Sequence, residues 1–335
     1  MKLVTHLKNN YPQLALLVNG MLYDTDKLHS DLPISMSMFL NYWEDVFPIA
    51  QFCEQRINEG LVRDVLATPY EQATIISPVP HPTSCRDGYA FRQHVAAARR
   101  NRKVDMIAEF DQFPIFYFTN HNSIQGPGDV LCMPDHFEKL DFELEVAIVI
   151  SQPGRNIPAA EADQYIAGLM IMNDMSARKL QMEEMLLNLG PAKGKDFATC
   201  IGPALVTLDE LAPFEVPCKE GHTGKAWNLA MKCWVNNIQV SEGNVSQMDW
   251  TFAEIIERAS YGVNLFPGDV IGSGTVGTGC FLELNGTGKL NNPDYQEQWL
   301  LPGDVVDMEI DGLGKLSNKM FPEESDASLF ALKKK

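Results

Sequence analysis

The sequence predicts an α+β fold dominated by strands. Short β-branched and aromatic runs recur through the second and third thirds of the chain, and clear helical stretches are few. The two do not alternate as a doubly wound parallel sheet requires. With 335 residues, 45% of them hydrophobic and 21% charged, the chain also carries enough apolar surface to bury a sizeable core, which argues against disorder.

Taken in order, the apolar run Leu14 to Val18, the turn Asn19-Gly20 and the run ending at Tyr23 predict a β-hairpin. A helical stripe of Phe39, Trp43, Phe47, Ile49 and Phe52 predicts a helix from Ile34 to Ile57, interrupted at Pro48. Pro69, Pro78, Pro80 and Pro82 then break regular structure and place a domain boundary near residue 70, giving a small N-terminal domain over 1–70 and a main domain over 71–335. In the main domain strands are expected at Ile115 to Thr119, Leu144 to Ile150, Ala204 to Val206, Ala230 to Val235, Val270 to Ser273, Phe281 to Leu284 and Val305 to Ile310. Helices are expected at Phe91 to Arg102, Ala159 to Gly168 and Ser176 to Leu189. The terminal Lys333-Lys334-Lys335 is a solvated tail.

Charge and cysteine content narrow the function classes. Twenty-seven basic against 44 acidic side chains leave a net charge of −17, which disfavours nucleic acid, since such binding needs clustered Lys and Arg. No apolar run approaches the roughly 20 residues that span a bilayer, and the N-terminus does not read as a cleavable leader. Seven cysteines without a C-x-x-C pair suggest neither a disulfide framework nor a thiolate zinc site, so a reducing cytoplasm is expected. No Walker-type phosphate loop occurs.

The chemistry concentrates in three acidic groups. If Leu140 to Ile150 is one strand, alternation puts Asp141, Glu143 and Glu145 on one face, and the apolar continuation Val146 to Ile150 implies burial on both faces. Buried carboxylates repel one another and call for a cation. A solvated acidic face is the bland alternative. Asn173-Asp174 precedes a helix bearing Arg178 and Gln181; with the first turn helical, Asp174, Arg178 and Gln181 share a face, which taken alone is an ordinary N-cap with an ion pair. Asp87-Gly88-Tyr89 with His94 seven residues on is the third group. Oxygen donors without neighbouring thiolates select a hard divalent ion, Mg²⁺ or Ca²⁺. No EF-hand loop is present, so the ligands must come from distant segments.

These strings resemble the fumarylacetoacetate hydrolase family over about residues 75 to 320. They are Leu140-Asp-Phe-Glu-Leu-Glu-Val146, Asn173-Asp-Met-Ser-Ala-Arg-Lys-Leu-Gln181, Gly194-Lys-Asp-Phe-Ala-Thr199 with Gly202-Pro203, Gly274-Thr275, Gly303-Asp304 and Gly312-Leu-Gly314. Asp87-Gly-Tyr-Ala-Phe-Arg-Gln-His94 is similar to the segment of those members that hydrolyse fumarylacetoacetate, whereas the first 70 residues have no visible counterpart.

The resemblance implies a mixed β-roll with a small N-terminal domain and a homodimer. It implies metal ligation by Asp87, Glu143, Glu145 and Asp174, with Lys195 and Thr199 beside the metal. His94 becomes the base that activates water, oriented by Glu283. Tyr89, Tyr117, Arg178, Gln181 and Thr275 would contact a small diketo acid substrate, and Arg102 is the candidate for its distal carboxylate. The expected reaction is carbon–carbon cleavage of a β-diketo acid, fumarylacetoacetate to fumarate and acetoacetate in tyrosine catabolism. An acylpyruvate hydrolase or a metal-dependent keto-acid decarboxylase or isomerase of the same family is the alternative.

Overall fold

The computed structural model describes residues 1–62 and 67–334. Its centre is a 12-stranded sheet in which the strands Lys2–Lys8, Thr199–Thr207, Ile166–Asp174, Leu144–Ile150, Asp269–Gly272, Ser84–Gly88 and Phe116–Thr119 lie side by side. Neighbours along this path are antiparallel except Asp269–Gly272 and Ser84–Gly88, which run parallel. A second, five-stranded sheet is formed by Gly128–Cys132, Ala230–Val235, Ile238–Asn244, Val305–Ile310 and Gly314–Pro322. This is the strand-dominated α+β architecture that the sequence predicts.

The strand Leu144–Ile150 shows why its sequence is apolar throughout: every residue in it is buried. Side chains alternate across a strand, and here both faces are covered. Val146, Ile148 and Ile150 pack with Met231, Cys233, Val306 and Met308 of the second sheet. Ala147 and Val149 face the other way, into a core shared with Phe39, Leu40, Val46 and Ala50. Those last residues lie on the helices Met36–Asn41 and Trp43–Asn58, so the N-terminal segment closes one face of the main sheet. Its strands also belong to that sheet: Lys2–Lys8 pairs with Thr199–Thr207 and with Thr74–Ile76. The boundary expected near residue 70 falls inside this sheet.

Several elements differ from expectation for identifiable reasons. The helix expected over Ile34 to Ile57 breaks at Tyr42 instead of Pro48; Pro48 lies in the first two turns of Trp43–Asn58. The helix expected over Ala159 to Gly168 stops at Ala162, because Ile166 onward is needed as the strand between Leu144–Ile150 and Thr199–Thr207. Ser176 to Leu189 is helical only over Arg178–Met185. Phe281 to Leu284 is not a strand; it opens the helix Phe281–Asn291. The helix near His94 runs Arg92–Asn101, close to the expected span. Among the described residues no helix is long and apolar enough to cross a membrane.

Candidate active site

Adjacent strands of the main sheet end together, and their ends carry the acidic residues. Asp174 closes Ile166–Asp174, Glu145 sits at the start of Leu144–Ile150 with Glu143 just before it, and Asp87 lies near the end of Ser84–Gly88. Gly272 pairs with Asp87 across the parallel ladder and with Ala147 across the antiparallel one, which fixes the depth of Asp87 relative to the glutamates. A Cβ on Gly272 would meet the Asp87 Oδ1 at 2.6 Å, so only glycine leaves that carboxylate its place. Gly274 turns with φ +80, in the left-handed region that glycine adopts without strain, and its N–H donates to Asp87 Oδ1 at 3.0 Å.

Asp87, Glu143, Glu145 and Asp174 are all buried, and each can offer one oxygen such that the four lie within 4.8 Å of one another. The expected ligand set therefore converges. Asp141 does not join it. The expected single strand from Leu140 to Ile150 is interrupted after Asp141, where the Glu143 N–H is taken by the Asn173 Oδ1 at 3.2 Å, and the alternation is lost. Asp141 instead accepts from the N–H groups of Phe281 and Leu282 at 2.8 and 3.0 Å and from Arg178 Nε at 2.8 Å. Asp174 reaches the cluster from its strand and not from the helix, so it shares no helical face with Arg178 and Gln181; those two remain neighbours, with Arg178 donating to Gln181 Oε1 at 2.9 Å.

Two cations neutralise one side of the cluster. Lys195 Nζ donates to Asp174 Oδ2 at 2.7 Å and to Glu143, and Arg178 donates to Glu143 Oε1 at 2.7 Å. Tyr117 donates its hydroxyl to Asp174 Oδ2 at 2.5 Å. Burial would raise the Glu143 carboxyl, but Arg178 and Lys195 outweigh it and hold that group well below the usual range. On the opposite side, Asp87 and Glu145 form no ion pair among the described residues. Burial, followed by the charge of Asp174, pushes Asp87 up to about 7. Burial and the neighbouring Asp87 push Glu145 well up, and burial also raises Asp174. Among the described residues, Glu145 Oε2 and Asp174 Oδ1 are buried with no hydrogen-bond partner. Orphaned carboxylate oxygens in an all-oxygen set fit a hard divalent cation, which would pair charges that otherwise repel.

The expected His94–Glu283 pair assembles beside this cluster. His94 on the helix Arg92–Asn101 and Glu283 in the first turn of Phe281–Asn291, 189 positions apart, meet through Nδ1 and Oε2 at 2.6 Å. Glu283 Oε1 accepts the Thr278 N–H at 3.0 Å, which fixes the carboxylate in turn. Tyr89 sets its ring edge-on to His94 with centroids 5.8 Å apart, and burial pushes its phenol up to about 12. Thr275 donates to Glu145 Oε1 at 3.4 Å. Thr199 lies opposite Asp174 in the strand ladder. Arg102 caps the helix of His94 in an exposed position, its Nε on the Ala98 carbonyl at 3.1 Å. Pattern places Asp141 with the glutamates and gives no sign that it ties Arg178 to the Glu283 helix, and it does not single out Cys280, whose sulfur lies within 4.8 Å of donor atoms of His94 and Glu143. A spacing rule gives no signal for either, because both act across the fold.

The rat protein "Oxaloacetate tautomerase Fahd2a, mitochondrial" (Rattus norvegicus) is 30% identical over 322 residues, covering 94% of this chain and 88% of the relative. Among solved structures, fumarylacetoacetate hydrolase from the psychrophilic Exiguobacterium antarcticum superposes with a TM-score of 0.69 at 22% identity, covering 96% of this chain and 100% of the other. Maleylpyruvate hydrolase from Sphingobium sp. SYK-6, in complex with manganese (II) ion and pyruvate, superposes with a TM-score of 0.68 at 19% identity, covering 97% and 100%. The family model "Fumarylacetoacetate (FAA) hydrolase C-terminal" matches residues 83–321, a stretch that holds every carboxylate of the cluster and both members of the His94–Glu283 pair. The chain belongs to the fumarylacetoacetate hydrolase family of enzymes.

Proposed function

We propose that this chain is a divalent-cation-dependent enzyme that moves a proton on an enolisable 2-oxo acid, a keto–enol tautomerase of the oxaloacetate type. The observation that carries the reading is that the His94–Glu283 pair stands next to Glu143 of the carboxylate cluster, so a proton carrier and a carbonyl-polarising centre address one small molecule. The rat relative's name supports the substrate class.

Asp87, Glu143, Glu145 and Asp174 would hold the cation. When bound, a Mg²⁺ or Mn²⁺ ion supplies Lewis-acid polarisation of a carbonyl oxygen, which acidifies the neighbouring carbon. His94 is arranged to take the proton from that carbon: Glu283 occupies Nδ1, which fixes the tautomer and leaves Nε2 for the substrate. Returning the proton to oxygen instead of carbon completes the tautomerisation. Lys195 and Arg178 keep Glu143 ionised, and Gln181, Tyr89, Tyr117 and Thr275 shape the substrate pocket. The seven free cysteines suit a reducing compartment, the cytoplasm or, as the relative's name suggests, the mitochondrion.

A second reading is hydrolysis of a β-diketo acid, from acylpyruvates to fumarylacetoacetate. It draws on the same pair, since an imidazole oriented by a carboxylate at 2.6 Å can equally activate water. One experiment separates the two. The decay of enol-oxaloacetate absorbance in the presence of Mg²⁺ is followed alongside product release from acetylpyruvate and fumarylacetoacetate. Accelerated enol decay without cleavage supports the tautomerase, and cleavage with no effect on the enol moves the assignment to hydrolysis.

A further inference from the structure

A second set of donor atoms meets beside the carboxylate cluster. His94, Glu143 and Cys280 are all buried, and one ligand atom of each lies within 4.8 Å of the other two. Their chemistry differs from that of the first set. Four carboxylates favour a hard ion, whereas a thiolate, an imidazole and a carboxylate form the mixed set that favours Zn²⁺ and other borderline or soft ions. Glu283 holds Nδ1 at 2.6 Å and leaves Nε2 available to ligate, the carboxylate–histidine arrangement that fixes ring orientation beside a metal. Cys280 is the N-cap residue of the helix that carries Glu283, so the sulfur and the carboxylate behind the imidazole are held by one element.

We propose that His94, Cys280 and Glu143 form a second cation site, selective for Zn²⁺ over Mg²⁺, whose occupation arrests the enzyme by engaging His94. On binding, the Cys280 S–H bond breaks, a zinc–sulfur bond forms and the proton passes to water; Nε2 donates its lone pair to the same ion. Glu143 belongs to both sets; Arg178 holds its Oε1 and Lys195 its Oε2, so the ion would displace one of these two contacts, and Lys195 would still have Asp174. The two sites sort ions by softness: the hard cation supports turnover, and the soft one withdraws the proton carrier. The inhibitory consequence rests on the role of His94 proposed above, whereas the binding itself does not.

The test uses the full chain loaded with Mg²⁺ and titrated with Co²⁺, a spectroscopic substitute for zinc. Wild type is expected to develop a thiolate-to-cobalt charge-transfer band that Zn²⁺ displaces, and Cys280→Ser to lack it. In parallel, the Zn²⁺ concentration that halves turnover should rise more than tenfold in Cys280→Ser, the usual scale for loss of a supporting metal contact. Cys280→Ala provides the same comparison should the serine variant fold poorly. Absence of the band in wild type, its persistence in both variants, or equal zinc inhibition with and without the thiol would overturn the proposal. If the chain had no tautomerase activity, the band would still appear in wild type and vanish in the variants, which distinguishes the two failures.

Discussion

Replacing Asp141 by Asn tests the tie that joins the two halves of the site. The carboxylate is fully buried and accepts from Phe142 N at 3.0 Å, Phe281 N at 2.8 Å, Leu282 N at 3.0 Å and Arg178 Nε at 2.8 Å. An asparagine in the same rotamer keeps one oxygen but presents an NH₂ group to half of these donors. Two of them lose their acceptor, and the Arg178 guanidinium loses one of its two anionic partners. Breaking a buried ion pair costs roughly 3–5 kcal/mol. Arg178 keeps Glu143 at 2.7 Å, which places the expected loss near the lower end, about 3 kcal/mol. Urea denaturation with an unchanged m-value is the assay. The exposed pair Lys179–Glu138, at 2.9 Å, is the control: Glu138→Gln should cost less than about 0.5 kcal/mol. A loss below about 1 kcal/mol for Asp141→Asn, comparable to the control, would refute the shared-acceptor account.

His94→Ala should lower turnover by a factor on the order of 10² to 10⁴ while leaving Mg²⁺ affinity nearly unchanged by calorimetry; activity that survives would remove His94 as the proton carrier. For the metal-free protein, Asp87 has a folded-state value of about 7 against an ordinary 3.8, so the folded chain binds this proton more tightly than the unfolded one. Stability should therefore fall as pH rises from about 4 to about 7, by at most about 4 kcal/mol for this group, and a Mg²⁺ concentration 100 times its Kd should restore about 2.7 kcal/mol at neutral pH. Melting curves across that window check the sign. Arg102→Ala should narrow any preference for dicarboxylate over monocarboxylate substrates by about tenfold or less, because the guanidinium is exposed and screened; equal kcat/KM for both substrate types in wild type would exclude a role for Arg102.

The parts of the site that were legible in the sequence are those fixed by local pattern. Leu144 to Ile150 is apolar at every position, a composition that makes sense only for a strand covered on both faces, and the strand has those bounds. His94 lies on the helix its pattern predicts. What was illegible depends on partners far away in sequence. Phe281-Leu-Glu-Leu284 has the composition of a strand, yet two of the N–H groups that a helix start leaves unpaired are taken by Asp141, 140 and 141 positions earlier. No local capping residue announces it, since the N-cap position holds Cys280. Asp141 was misplaced for the reciprocal reason: alternation holds only while a strand continues, and Asn173 interrupts this one by hydrogen bonding across to Glu143.

The same interruption accounts for the charge distribution of the site. Had Leu140 to Ile150 continued as one strand, Asp141, Glu143 and Glu145 would have lined a single face, and any cation brought near would have served all three. The break sends Asp141 toward Arg178 and the Glu283 helix, so Arg178 is shared between Asp141 and Glu143. Lys195 is shared between Glu143 and Asp174. Protein cations thus cover Glu143 twice and Asp174 once, while Asp87 accepts a backbone N–H from Gly274 and Glu145 the hydroxyl of Thr275. The imbalance is directional: the uncompensated charge lies on the Asp87 and Glu145 side, and a divalent cation there would satisfy the orphaned Glu145 Oε2 and Asp174 Oδ1 together. Arg178 and Lys195 are therefore better understood as fixing Glu143 in its ionised form at the junction between the cluster and His94 than as substitutes for a cation on the Asp87 and Glu145 side.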